Sequence, residues 1–190
     1  MKLQILILFF IIVCKFGISQ NIKLDTTIGG ISLQNSNSVA FSAYNDKIWN
    51  KLFEDSDELI KSVLLNFNKT QKVELIAHYG CNKNEFLEVV ISNVQKNNKL
   101  YNDTNKYIIT DVFEFKTGEN IKLGVSSNYV RKKLNITFLE KKKGNNLILS
   151  FRKNITNLPM FKRYNMPIYY GRYYFNNDKL IKFSFGFEPQ

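Results

Sequence analysis

Cysteine and histidine are almost missing from this chain: 190 residues hold two cysteines and one histidine. Cys14 falls in the N-terminal apolar stretch, which leaves Cys81 as the only thiol of the remainder, so no intramolecular disulfide is expected there. His78 and Cys81 together offer two metal ligands where a structural zinc site takes four, and a metal site is not expected. A serine triad would have to use His78 as its base, yet no Gly-x-Ser-x-Gly elbow is present. Gly29-Gly30 lacks the Lys-Ser/Thr that completes a phosphate loop. Neither a cofactor nor a catalytic residue is assigned, and the reading leans away from an enzyme. Proline (3) and glycine (9) are too scarce for a collagenous or low-complexity chain. Long apolar runs are missing too: the run from Leu3 to Cys14, broken by Gln4, reaches about 18 Å as a helix against roughly 30 Å of hydrocarbon, so no transmembrane span is expected.

Apolar surface is what the chain does have. At 44% hydrophobic and 14% aromatic residues it carries enough to offset the entropy of ordering. Its length suits one domain, or two small halves sharing a core. Lys2, the apolar run and the more polar Lys15-to-Ser19 segment form the three-part pattern of a secretory signal, residues 1–19, cleaved near Ser19. The expected destination is the periplasm or the medium. Val13 stands where a lipid-modified Cys14 would need Gly, Ala or Ser.

Charge is unevenly spread. Residues 20–120 carry 11 basic and 13 acidic side chains, whereas residues 121–190 carry 14 basic and 3 acidic. The clusters are Arg131-Lys132-Lys133, Lys141-Lys142-Lys143, Arg152-Lys153 and Lys162-Arg163. Such a field attracts acidic proteins or anionic envelope components. Abundant Lys and Asn would follow from AT-rich coding, but both halves share that bias, so it does not account for the asymmetry. Four glycosylation sequons, at Asn68, Asn102, Asn135 and Asn154, are close to chance for so Asn-rich a chain.

Periodicity predicts an α+β fold: antiparallel β-meanders with short helices packed on one face, in an order that suggests tandem duplication. Residues 20–120 would form a helix-plus-meander half. Ile31-to-Leu33 reads as a strand, and Val39 to Asn66 as helix broken at the acidic Glu54-to-Glu58 turn, whose spacing does not match a calcium loop. Val73 to Tyr79, Phe86 to Val94 and Tyr107 to Phe115 read as strands. Residues 121–190 would repeat the order, with a strand over 121–124, a helix capped by Ser126 or Ser127, and strands over 136–140, 147–152, 169–175 and 179–187. The two halves would share one sheet or core.

The stretch Ile121-Lys122-Leu123-Gly124-Val125-Ser126-Ser127, continued by Val130 and Leu134, resembles the signature of BamE/SmpA-type outer-membrane assembly proteins and of the similar, duplicated β-lactamase inhibitor protein fold. The Gly that usually follows the final Leu is Asn135 here. The ending from Tyr169 onward is similar to secreted bacterial proteins of unassigned activity. The resemblance implies a sheet with a short packed helix, and action by binding proteins.

The candidate surface spans the long Pro-containing connection after Arg152 and the strand that follows. Tyr, Met and Arg are favoured at interfaces. The candidate binding residues are Arg152, Lys153, Phe161, Lys162, Arg163, Tyr164, Tyr170, Arg172 and Tyr174. Their expected role is to bind a macromolecule, either a protein or an anionic envelope component; nucleic acid is disfavoured. The alternatives are a secreted hydrolase drawing paired carboxylates from Glu74, Glu85, Glu88, Asp111 or Glu114, and a polyanion or envelope binder whose affinity is mainly electrostatic.

Overall fold

The computed structural model describes residues 24–29, 31–32, 53–56, 59–78, 86–94, 107–154 and 168–188. The signal segment, Cys81, the 39–50 part of the expected first helix, and Phe161, Lys162, Arg163 and Tyr164 lie outside the described residues.

The C-terminal strands form where period-two alternation is strongest. β9 (Asn146–Asn154), β10 (Ile168–Asn176) and β11 (Lys179–Glu188) pair antiparallel, preceded by β8 (Leu139–Lys143). The β10–β11 turn puts Asn177 and Asp178 at φ 48° and 57°, the two left-handed positions that a tight hairpin turn of this hand requires and that Asn and Asp tolerate. A bulge follows: Tyr174 faces Lys182 while Phe175 faces Leu180, so the intervening Ile181 is the extra residue and remains 42% exposed. Beyond it Phe183, Phe185 and Phe187 take the core side, and Ser184 and Gly186 between them are buried as well.

The first half supplies β3 (Phe53–Ser56), β4 (Leu59–Leu65), β5 (Gln71–His78) and β6 (Glu88–Asn93). The strand order β3-β4-β5-β6-β11-β10-β9-β8 makes one sheet, in which β6 meets β11 antiparallel. β7 (Ile108–Ile109) adds a parallel pair to the outer part of β4, so the sheet is mixed. A separate small hairpin joins β1 (Thr27–Ile28) to β2 (Ile31–Ser32).

The expected α+β arrangement is therefore wrong. Among the described residues the chain is mostly strand, with one eight-residue helix, α1 (Ser127–Leu134), in place of several helices on a face. The error over residues 53–65 has a physical cause. Leu64 points into the main core, while Val63 and Leu65 pack with Tyr107 on the opposite face. A strand buried on both sides loses its alternation, and its apolar residues then mimic helical spacing. The strand expected over 107–115 shrinks to β7, because Asn66 side-chain Nδ2 donates to Phe113 O at 2.7 Å and the Phe67 N–H donates to Val112 O at 2.8 Å, drawing that segment into a turn. Residues 121–124 form an isolated bridge, Lys122 to Lys116, and no strand.

α1 forms as its residues dictate. The Ser126 side chain accepts the Tyr129 N–H at 3.2 Å, and Asn135 ends the helix in the left-handed region with φ 50°. Val130 and Leu134 are fully buried against the sheet, together with Phe115, Ile121 and Phe138. The Ser127 hydroxyl and N–H both bond Asp178, the N–H donating to Oδ1 at 3.0 Å; together they fix the helix start to the β10–β11 turn and hold that carboxyl below its usual range. Among the described residues no helix is long and apolar enough to cross a membrane.

Among the described residues one carboxyl group is buried here. Asp25 is 1% exposed; it accepts from the Glu119 N–H at 3.1 Å and is bonded by Thr117, and its own carbonyl accepts the Tyr169 hydroxyl. Burial pushes its carboxyl up to about 6 against those bonds. The folded chain therefore holds this proton more tightly than the unfolded chain, where Asp titrates near ~3.9. Stability from this group is greatest below that value and falls as pH rises to about 6, with no further change above. Asp25→Asn is expected to raise stability at pH 7.5 by roughly 2 kcal/mol and to flatten the slope between pH ~4 and ~6, as read by urea melts across that range.

Candidate functional site

The pleat divides β10 between two environments. Tyr169, Tyr173 and Phe175 face the core, where both tyrosines have no exposed surface and burial holds their hydroxyls well above the ordinary phenol range. Tyr170, Arg172 and Tyr174 face the other way. Cross-strand register extends each of them into a row. Tyr170 lies between Arg152 and Gly186, Arg172 between Ser150 and Ser184, and Tyr174 between Ile148 and Lys182. Lys141, opposite Ile148, prolongs the last row onto β8.

Four of the sequence-derived candidates thus share this outer face: Arg152, Tyr170, Arg172 and Tyr174. Lys153 does not, because it pairs with Tyr169 and so takes the core side of β9. The four candidates of the connecting segment lie outside the described residues.

The four have different parts. Glu188 Oε1 accepts from Arg152 and from Arg172, each at 3.0 Å, so one carboxylate joins two guanidinium groups and offsets half of their charge. The Arg172 guanidinium also lies 4.8 Å from the Tyr170 ring centre. Tyr170 itself is only 4% exposed and is bonded to Glu88 and Ser184; burial, with the Glu88 carboxylate beside it, keeps the hydroxyl protonated. It is a floor that holds Arg172 in place. Tyr174 is half-buried, with Lys182 Nζ 5.6 Å from its ring centre.

Sequence reasoning missed the cations that the register adds. Lys141, Lys143 and Lys182 surround or adjoin a depression of about 310 Å³ whose apolar wall includes Ile148, Tyr174 and Ile181. Among the described residues no carboxylate pairs with these three lysines. Alternation within Lys141-Lys142-Lys143 was the available signal, since strand geometry sends the first and third to one face.

Of the five carboxylates weighed for hydrolysis, Glu85 lies outside the described residues and three others have partners of their own. Glu74 is held by Lys72 at 3.1 Å and Lys61 at 3.6 Å, Glu114 by Lys122 at 2.8 Å, and Glu88 by Tyr170. Among the described residues no three His, Cys, Asp or Glu side chains converge as a metal site would require.

Family models, curated proteins and solved structures yield no match to this chain.

Two substitutions separate framework from surface. Tyr170→Phe leaves Glu88 without its donor in a buried place and is expected to cost about 1–2 kcal/mol in chemical denaturation. Glu188→Gln breaks pairs in which the arginines are exposed and Glu188 is half-buried, so stability should fall by about 1 kcal/mol while the chain elutes later from a cation exchanger at pH 7.

Proposed function

We propose that this chain is an exported, non-enzymatic protein that binds an acidic partner protein through the outer face of β8 to β11. The observation that carries this reading is the gathering of Lys141, Lys143, Lys182, Arg152 and Arg172 on one sheet face beside apolar side chains, where Glu188 engages the two arginines, Glu88 is bonded to Tyr170, and among the described residues no carboxylate pairs with the three lysines. Unpaired cations beside an apolar depression suit a partner that brings both carboxylates and aliphatic side chains, since charge steers the encounter and apolar contact holds it. The resemblance of residues 121–134 to protein-binding envelope families points the same way. Export rests on the N-terminal signal pattern. A hydrolase reading loses support, because Glu74, Glu88 and Glu114 are each engaged by a donor or cation.

The test is capture from the native envelope fraction. Lys141→Glu/Lys182→Glu is expected to lower partner recovery by about tenfold or more, a loss of about 1.4 kcal/mol, whereas Lys132→Glu/Lys133→Glu on α1 leaves it unchanged. Equal losses from both variants would show a non-specific charge effect and remove the assignment of this face. A drop in affinity of roughly 10³ between 50 and 200 mM salt would point to a polyanion in place of a protein.

A further inference from the structure

The outer edge of the sheet on the basic side is β8, which ends the strand order and has no described strand beyond it. All five of its residues are exposed, and Leu139 is 72% exposed. The β8–β9 hairpin closes on Lys143 opposite Asn146, across a two-residue turn in which Gly144 takes the left-handed φ of 57°. In such a hairpin the closing pair is hydrogen-bonded and the pairs then alternate. Lys143, Lys141 and Leu139 therefore spend their N–H and C=O groups on β9, and those of Glu140 and Lys142 are directed at the open edge.

Side chains on this edge are sorted by charge. Leu139, Lys141 and Lys143 share the outer face, reading apolar, positive, positive. Glu140, the strand's single carboxylate, is turned to the other face, where Arg131 of α1 holds it at 2.8 Å. The edge thus presents unpaired lysines with its own acid withdrawn. Lysines on an edge strand oppose pairing with a like-charged copy. The same charges admit a strand bearing carboxylates, because opposite charges in facing positions stabilise a strand pair. The apolar depression inboard of Lys141 and Lys143 adds aliphatic contact that a purely protective edge does not use.

From this juxtaposition we infer that the partner contributes an extended acidic segment that adds to β8 as a further strand. Its outer-face residues are two carboxylates opposite Lys141 and Lys143 and an aliphatic side chain opposite Leu139. Main-chain bonds to Glu140 and Lys142 supply affinity, and the alternate side chains supply selectivity. The inference rests on the acidic-partner reading above and names the form in which that partner is held.

The experiment uses the full chain and a capped heptapeptide, Thr-Glu-Thr-Glu-Thr-Leu-Thr, which puts both glutamates and the leucine on one face of an extended strand. Backbone amide exchange is followed by NMR with and without saturating peptide. The expected result is slowing of the Glu140 and Lys142 amides by about tenfold or more, with no such effect from the peptide in which lysine replaces both glutamates. Lys142→Pro, which removes an edge-facing N–H while leaving the ladder to β9, is expected to abolish peptide binding and leave the β9–β11 amides protected as before. Peptide binding without protection of these two amides overturns strand addition while leaving face docking intact. Absence of binding at millimolar peptide also overturns it, as does full protection of both amides in the free chain. Loss of envelope capture specificity, in the lysine variants above, is the separate failure that would remove the acidic-partner reading itself.

Discussion

The register of β10 between β9 and β11 is the constraint on which the rest of this molecule depends. Nine residues of β10 pair continuously with β9, and the same strand pairs with β11 on its other side. Side chains alternate with period two, so a slip of one residue would drive Arg172 and Tyr174 into the core and expose Tyr169 and Tyr173. Gly171 helps exclude that slip. It lies opposite Phe151, whose ring occupies the space a side chain would need: a Cβ built there would fall 2.4 Å from Phe151 Cε1. The Phe151 ring in turn packs on Phe138 and Tyr169, which ties the register to the aromatic layer beneath the sheet. Any other pairing opens a gap on one face and a clash on the other.

From that register follow both the core and the candidate surface. On the inner side Tyr173 stacks on Phe183 with centres 5.9 Å apart, and Val130 and Leu134 of α1 close over the same layer. On the outer side the polar residues of β10 are brought beside cations of three other strands, Arg152 on β9, Lys182 on β11 and Lys141 on β8. Arg152 and Glu188 belong to different strands, yet meet Arg172 because each is its neighbour or near neighbour across the sheet. The framework role of Tyr170 arises in the same way: it is buried beneath Arg172 and fastened to Glu88 of the first half. The basic face of one half is thus anchored by a carboxylate of the other. A patch built on paired strands loses less conformational freedom on binding than one built on a connecting loop.

Legibility from sequence tracked how many faces of an element are covered. β9, β10 and β11 place large apolar residues on the core side at alternate positions, and that alternation can be read directly, although Tyr170, Ser184 and Gly186 on the other face are buried as well. α1 can be read too, because its cap and its two buried residues are local features. β4 is buried on both sides, by the main core and by the cluster around Tyr107, and its apolar run carries no period that distinguishes strand from helix. β7 is strand only because Leu64 and Leu65 offer it a parallel partner, a contact no short window of sequence can contain. The outer-face candidates Arg152, Tyr170, Arg172 and Tyr174 were visible by residue type; the buried place of Tyr170 and the opposite facing of Lys153 were not.

Composition alone established that the second half is cationic and aromatic, and alternation alone established that it is built largely of strands with one apolar face, since both are properties of neighbouring residues. Which cations stand together, which carboxylates neutralise them and which strand ends the sheet among the described residues were decided only by the tertiary structure. Those are consequences of pairing between distant segments, where an energy of contact outweighs the cost of closing the chain between them.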